Sequence, residues 1–320
     1  MFKIIISEQF YGKIKQEEQG RAPQELSYLY KLLQQQPVQL LTTAANEKYK
    51  NHSENVLKNP TALYILDMTP SEASAIKSKY GVMCMSSSCP DITPLIDVND
   101  EHTTGRKEPL DKGWDSVLDS VEYLPSNALV LIDRYLFKHI EAYYGNGFDN
   151  VISILKELLP HELGTTYHIT IVFDRKEIDP LYSFDTIAKR LYENVEEMGY
   201  SYPITMEVLG VVEPLRLYYS THNRRIVSNY FVVKMDHKLA AFNKNIGTTD
   251  QTIIPQVLFT EDSINHHSSP PLKSLQQITN ALRDFSQSLL KPSMKHELYS
   301  YAVNGKRMEK CLAIRNRLIK

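Results

Sequence analysis

The residues best equipped for chemistry stand together at His222-Asn223-Arg224-Arg225. Asn229 follows at a fixed interval, giving the pattern H-x-R-x4-N, with an apolar run from Tyr230 to Val233 behind it. Arginine's planar fork can hold two phosphate oxygens at once. Tyr218, Tyr219 and Tyr230 flank the histidine, where they could stack on bases or hydrogen-bond phosphates. Phosphate esters are the chemistry this stretch suits. The competing reading is a surface or cap histidine at a strand entrance, beside solvated arginines and half-buried strand tyrosines.

Two aspartates, Asp133 and Asp174, close apolar runs that read as strands. Open α/β sheets place ligands at the carboxyl ends of their strands, so both could line the same cleft as His222, with Tyr230 beside them. Aspartates at such positions are also ordinary turn formers. His266-His267 has no carboxylate or cysteine at a recognised metal spacing, so no metal site is expected. No glycine loop that would cradle a cofactor's phosphates is present, and no cofactor is implied. Cys84, Cys89 and Cys311 are too few and too unevenly spaced for a disulfide framework or a four-ligand zinc site. Cys84 reads as a buried strand residue and Cys89 as a loop residue, in a reducing, cytoplasmic setting.

The elements that must position these residues form an α/β pattern. Phe2 to Ile6, Ala62 to Leu66 and Val82 to Met85 read as strands. A helix carries Leu26, Leu29, Tyr30 and Leu33; another starts at Thr69-Pro70-Ser71-Glu72 and stops at Gly81. Residues 86 to 125 are irregular and acidic, with one short helix around Trp114, Val117, Leu118 and Val121. A long irregular connection is unusual inside one domain, so the boundary is placed near residue 125. After it come a strand at Ala128 to Ile132, a helix stopped by Pro160, a strand at His168 to Phe173, an amphipathic helix from Phe184 to Met198, and a strand at Ile204 to Val212. Near-continuous apolar strands joined by helices predict a mixed sheet covered on both faces. A further strand, Ile253 to Phe259, and a helix from about Lys273 to Leu290 follow. Arg315-Asn316-Arg317-Leu318 could be a short last strand or a basic contact.

The motif, placed after this β-α-β-α-β section, resembles the phospholipase D superfamily, whose pattern is H-x-K-x4-D. The likeness covers roughly residues 126 to 260. It is similar also to the divergent single-motif phospholipase-D-like domain at the C-terminus of microtubule-interacting-and-trafficking proteins, which binds phospholipid rather than cutting it. The resemblance implies a domain over 1–125 and a phospholipase-D-like α/β sandwich over 126–320, ending in a helix and a basic tail. It makes His222 the nucleophile, Arg224 the phosphate holder with Arg225 beside it, and Asn229 the group orienting the imidazole. An asparagine amide supplies no negative charge to an imidazolium, and the comparable change in a serine-protease triad lowers turnover steeply. Active members bring two histidines together, so homodimerisation would supply the second. The family likeness also suggests bacterial antiviral defence.

The chain has 320 residues, 42% hydrophobic and 23% charged, the balance of a protein with a buried core. A net charge of −2 and pI near 6.6 argue against a protein that coats nucleic acid through overall charge, though not against a local basic patch. An acidic excess between Ile96 and Glu122 and a basic excess from Lys291 onward could meet each other or partners. No run approaches the ~20 apolar residues of a membrane span. Two functions follow: a phosphodiester- or nucleic-acid-handling protein, nuclease-like or purely binding, or a non-catalytic interaction protein that dimerises and meets a protein partner through its N-terminal unit.

Overall fold

Short apolar runs, most of four to eight residues and too short for buried helices, become the strands of a four-stranded sheet and an eight-stranded sheet, with one two-stranded pair beside them. A computed structural model of the chain describes residues 2–17, 24–97, 113–138, 140, 147–212, 224–235, 239, 242, 253–288, 297–303 and 307–319. His222, Tyr218 and Tyr219 lie outside the described residues.

The first sheet is built from β1 (Ile4–Ser7), β2 (Val38–Leu41), β3 (Leu63–Leu66) and β4 (Cys84–Ser86), all parallel in the order β2-β1-β3-β4. Between them run α1 (Glu8–Glu17), α2 (Gln24–Gln35), α3 (Thr43–Asn51) and α4 (Pro70–Tyr80). The expected start of α4 is a full capping box, with Thr69 and Glu72 each satisfying the other's backbone N–H. Its end, Gly81, has φ +60, and a Cβ there would meet the Ser126 carbonyl oxygen at 2.1 Å. A short strand β5 (Ile96–Asp97) and α5 (Gly113–Glu122) lead to the second half.

The large sheet contains β6 (Ala128–Ile132), β7 (Tyr167–Asp174) and β8 (Ile204–Val211), parallel to one another, with α6 (Gly147–Leu158) and α7 (Phe184–Glu197) as crossovers. The chain then returns to the far side of β6 as β9 (Arg224–Ser228), β10 (Phe231–Met235) and β11 (Ile253–Val257). After β12 (Phe259–Thr260), α8 (Glu261–Asn265) and α9 (Pro270–Ser288), a hairpin of β13 (Glu297–Val303) and β14 (Arg307–Lys310) joins the other edge. The order is β11-β10-β9-β6-β7-β8-β13-β14, a mixed sheet of eight strands. The protein is therefore mixed α/β.

Alternation along the strands assigns the faces. Phe173 of β7 and Gly210 of β8 are paired, and Phe184 of α7 packs against both, so α6 and α7 cover that face. The opposite face carries Thr170 and Glu207, also paired, and is covered by α9 and the residues after β14. Those last residues form neither a strand nor an exposed basic tail. Arg315 N–H donates to Glu207 at 2.5 Å, and the buried Asn316 amide donates to Leu129 O at 3.0 Å and Thr170 Oγ1 at 2.9 Å.

Every strand of the small sheet precedes residue 125, and every strand of the large sheet follows it. The core does not divide there. One apolar cluster runs from Phe2, Ile4 and Met83 through Leu129 and Ile226 to Phe259. β5 pairs with β12 across the halves, and Tyr28 of α2 donates to Glu261 of α8 at 2.6 Å. No described helix is long and apolar enough to cross a membrane.

Candidate phosphate site at the carboxyl edge of the large sheet

The parallel strands β6, β7 and β8 advance in one direction, and the chain then doubles back to lay β9 on the other side of β6. The carboxyl end of β6 is thus a topological switch point, where open sheets form a crevice. Asp133 leaves β6 there, Asp174 closes β7, and Arg224 opens β9. The structure brings these three together, with Arg225 opposite Ile132 of β6.

Both aspartates are turn formers and ion-pair partners at once. Asp133, fully buried, accepts the Tyr135 N–H at 2.8 Å and the Leu239 N–H at 2.5 Å, and its Oδ1 lies 3.5 Å from Arg224 Nε. Asp174 accepts the Lys176 N–H at 2.9 Å and lies 3.3 Å from Arg134 Nε. A buried guanidinium is tolerable only when so paired, and Arg224 is 9% exposed. Around the Tyr135 ring stand three cations, Arg134, Lys138 and Arg224, at 5.2, 5.1 and 5.6 Å from its centre. Glu177, in the turn after β7, lies 3.3 Å from Arg134 Nη2 and 3.0 Å from Lys138 Nζ.

On the opposite face of β9, Arg225 stands directly across from Lys234 of β10. Like charges facing each other across two strands destabilise the sheet. Burial and then Arg225 hold the Lys234 ammonium below its usual pKa.

Asn229 and Tyr230 do not join this group. They form the turn between β9 and β10, at the far end of β9, five residues or roughly 16 Å from Arg224. The Asn229 oxygen accepts the N–H groups of Asn127 (3.0 Å) and Ala128 (3.3 Å), and its nitrogen donates to Pro60 O (2.8 Å) and Asn127 Oδ1 (3.1 Å). The Tyr230 hydroxyl accepts the Met83 N–H at 2.8 Å and faces Ala62 O at 2.8 Å, its phenol pushed far above the usual pKa by burial. Both residues fasten the large sheet to the small one. Tyr135, Lys138, Glu177 and Lys234 were not singled out from the sequence. The cross-strand pairing of Lys234 depends on a register that no local pattern encodes.

Elsewhere the side chains are quieter. Cys84 and Cys311 are buried free thiols and Cys89 an exposed one, with burial pushing Cys84 up to about 12. His266 pairs with Asp262 at 2.9 Å on the surface. Among the described residues no group of three or more His, Cys, Asp or Glu could hold a metal. Compared with protein-family models and with curated proteins, the chain matches none.

Proposed function

We propose that the protein binds phosphodiesters, nucleic acid foremost, at a phospholipase-D-type site reduced to binding. The observation that carries this is the set of cations at the carboxyl end of β6: Arg134, Lys138 and Arg224 around Tyr135 on one face of the sheet, held by Asp174, Glu177 and Asp133, and Arg225 across from Lys234 on the other face. An anion placed over Lys234 would offset the effect of Arg225 on its ammonium. Binding is favoured over turnover because the Asn229 amide spends its donors and acceptors on Pro60, Asn127 and Ala128, leaving nothing to orient an imidazole. His222, two residues ahead of Arg224 in sequence, is on this reading a ligand contact.

Fluorescence anisotropy with a labelled single-stranded oligonucleotide tests the reading across a salt series. Wild type should bind, and Lys234→Ala should lower the salt slope by about 0.7 and weaken binding about tenfold at low salt. Because that change removes a repulsive neighbour, the melting temperature should hold or rise. His222→Ala should bind less tightly, and no cleavage should be detectable in either protein. Salt-independent binding, or none, would overturn the proposal. Cleavage by wild type that His222→Ala abolishes would establish an enzyme instead, and sedimentation would then show whether a dimer supplies the second histidine.

A further inference from the structure

Glu177 makes an unusual arrangement with its neighbours. Its two carboxylate oxygens are divided between two cations, Oε1 to Arg134 and Oε2 to Lys138. All three groups are open to solvent, with side chains 40%, 43% and 21% exposed for Arg134, Lys138 and Glu177. Arg134 is fixed from behind by Asp174, and both cations lie against the Tyr135 ring, whose other contact is Arg224. A bidentate carboxylate between an arginine and a lysine has the geometry in which those side chains take a phosphate. Lys138 gives one of its three N–H donors to Glu177, and Arg134 Nη1 has no hydrogen-bond partner among the described residues.

We infer that Glu177 stands in for a ligand phosphate, so that Arg134 and Lys138 form a second anion subsite beside Arg224, entered by a single-stranded nucleic acid that displaces the carboxylate. The inference rests on the phosphodiester-binding reading above. Arg134 and Arg224 approach the same aromatic ring, so a phosphate taken up at Arg134 and Lys138 lies beside the charge of the buried Arg224. Tyr135 between them is the kind of side chain on which single-stranded ligands seat a base. Glu177 then acts as a built-in competitor. It keeps the cations folded in place when no ligand is present and sets a threshold that weak or singly charged anions do not pass.

The test compares full-length wild type, Glu177→Gln, Glu177→Asp and Glu177→Gln/Lys138→Gln, using a labelled oligothymidylate of about 12 nucleotides. Glu177→Gln is expected to bind about fivefold tighter at low salt, with the gain shrinking as salt is raised. Glu177→Asp, which keeps the charge, should stay near wild type, and the double variant should lose the gain. Unchanged or weaker binding by Glu177→Gln, with Lys234→Ala still weakening the complex, would overturn the competitor role and leave the phosphodiester reading standing. Absence of binding by wild type and Glu177→Gln alike would overturn both. Binding to vesicles carrying a phosphoinositide, with none to the oligonucleotide, would overturn the nucleic-acid assignment.

Discussion

At the scale of single residues, Asn229 separates likeness of pattern from likeness of role. Its spacing from His222 and Arg224 is that of a family aspartate, yet the strand between carries it to the opposite edge, where it bonds to Pro60, Asn127 and Ala128. Installing the family's residue should therefore harm rather than restore. Asn229→Asp would aim a carboxylate at the Pro60 carbonyl and the Asn127 oxygen, both now receiving N–H donors, inside a fully buried site. A loss of about 2–4 kcal/mol is expected by denaturant unfolding, with no gain in phosphodiesterase activity. A neutral change accompanied by new activity would reverse the assignment. The sequence does show Asp133 and Asp174 at strand ends, because an apolar run followed by aspartate is a local signal. It does not show that each holds an arginine, since Arg224 reaches Asp133 from a strand ninety-one positions later in the chain.

At the scale of elements, local signals and structure coincide where a cap or a closed apolar run marks the boundary. The Thr69-Glu72 box and Gly81 delimit α4 in sequence and in structure alike, and β6, β7, α7 and β8 fall within two residues of their apolar runs. Of the stretch from Arg224 to Met235, only Tyr230 to Val233 is legible as a strand. Its two-residue turn, Asn229-Tyr230, lacks the glycine that usually announces a hairpin, and the apolar run continues on both sides. Gly81 has a second duty beyond its positive φ, because its bare Cα lets the end of α4 rest on Ser126 just before β6. Gly81→Ala should cost about 2–4 kcal/mol, more than the roughly 1 kcal/mol of a strained helix cap alone. A loss of only about 1 kcal/mol would mean that the contact yields easily.

At the scale of the whole molecule, the sequence divides near residue 125 and the structure fuses across it. No periodicity predicts that Tyr230 will donate and accept among Ala62 and Met83, or that the final residues will cover β6, β7 and β8. The key to that cover is Glu207, 1% exposed, which accepts from Thr170 Oγ1 at 3.0 Å and from Arg315 N–H. Burial raises its carboxyl pKa, partly opposed by those hydrogen bonds and by the charge of Arg315. A carboxyl raised on folding contributes stability that is fully present below the ordinary carboxylate value and lost as the pH rises through the raised one. Glu207→Gln removes that loss. The stability of the variant relative to wild type should therefore improve as the pH rises above the ordinary carboxylate value, as followed by urea unfolding at each pH. A difference independent of pH would refute it.

The Asn316 side chain reaches back to the Leu129 carbonyl, and that bond has a consequence for synthesis. A ribosome releases β6, β7 and β8 well before it releases the segment that covers them, and β13, which pairs with β8, also comes late. Until β13 and residues 311–319 emerge, part of one face of the central strands stays uncovered and one strand edge unpaired, the surface on which nascent chains aggregate or recruit chaperones. The codons for residues 311–319 thus decide whether the sheet begun at residue 128 is fully covered.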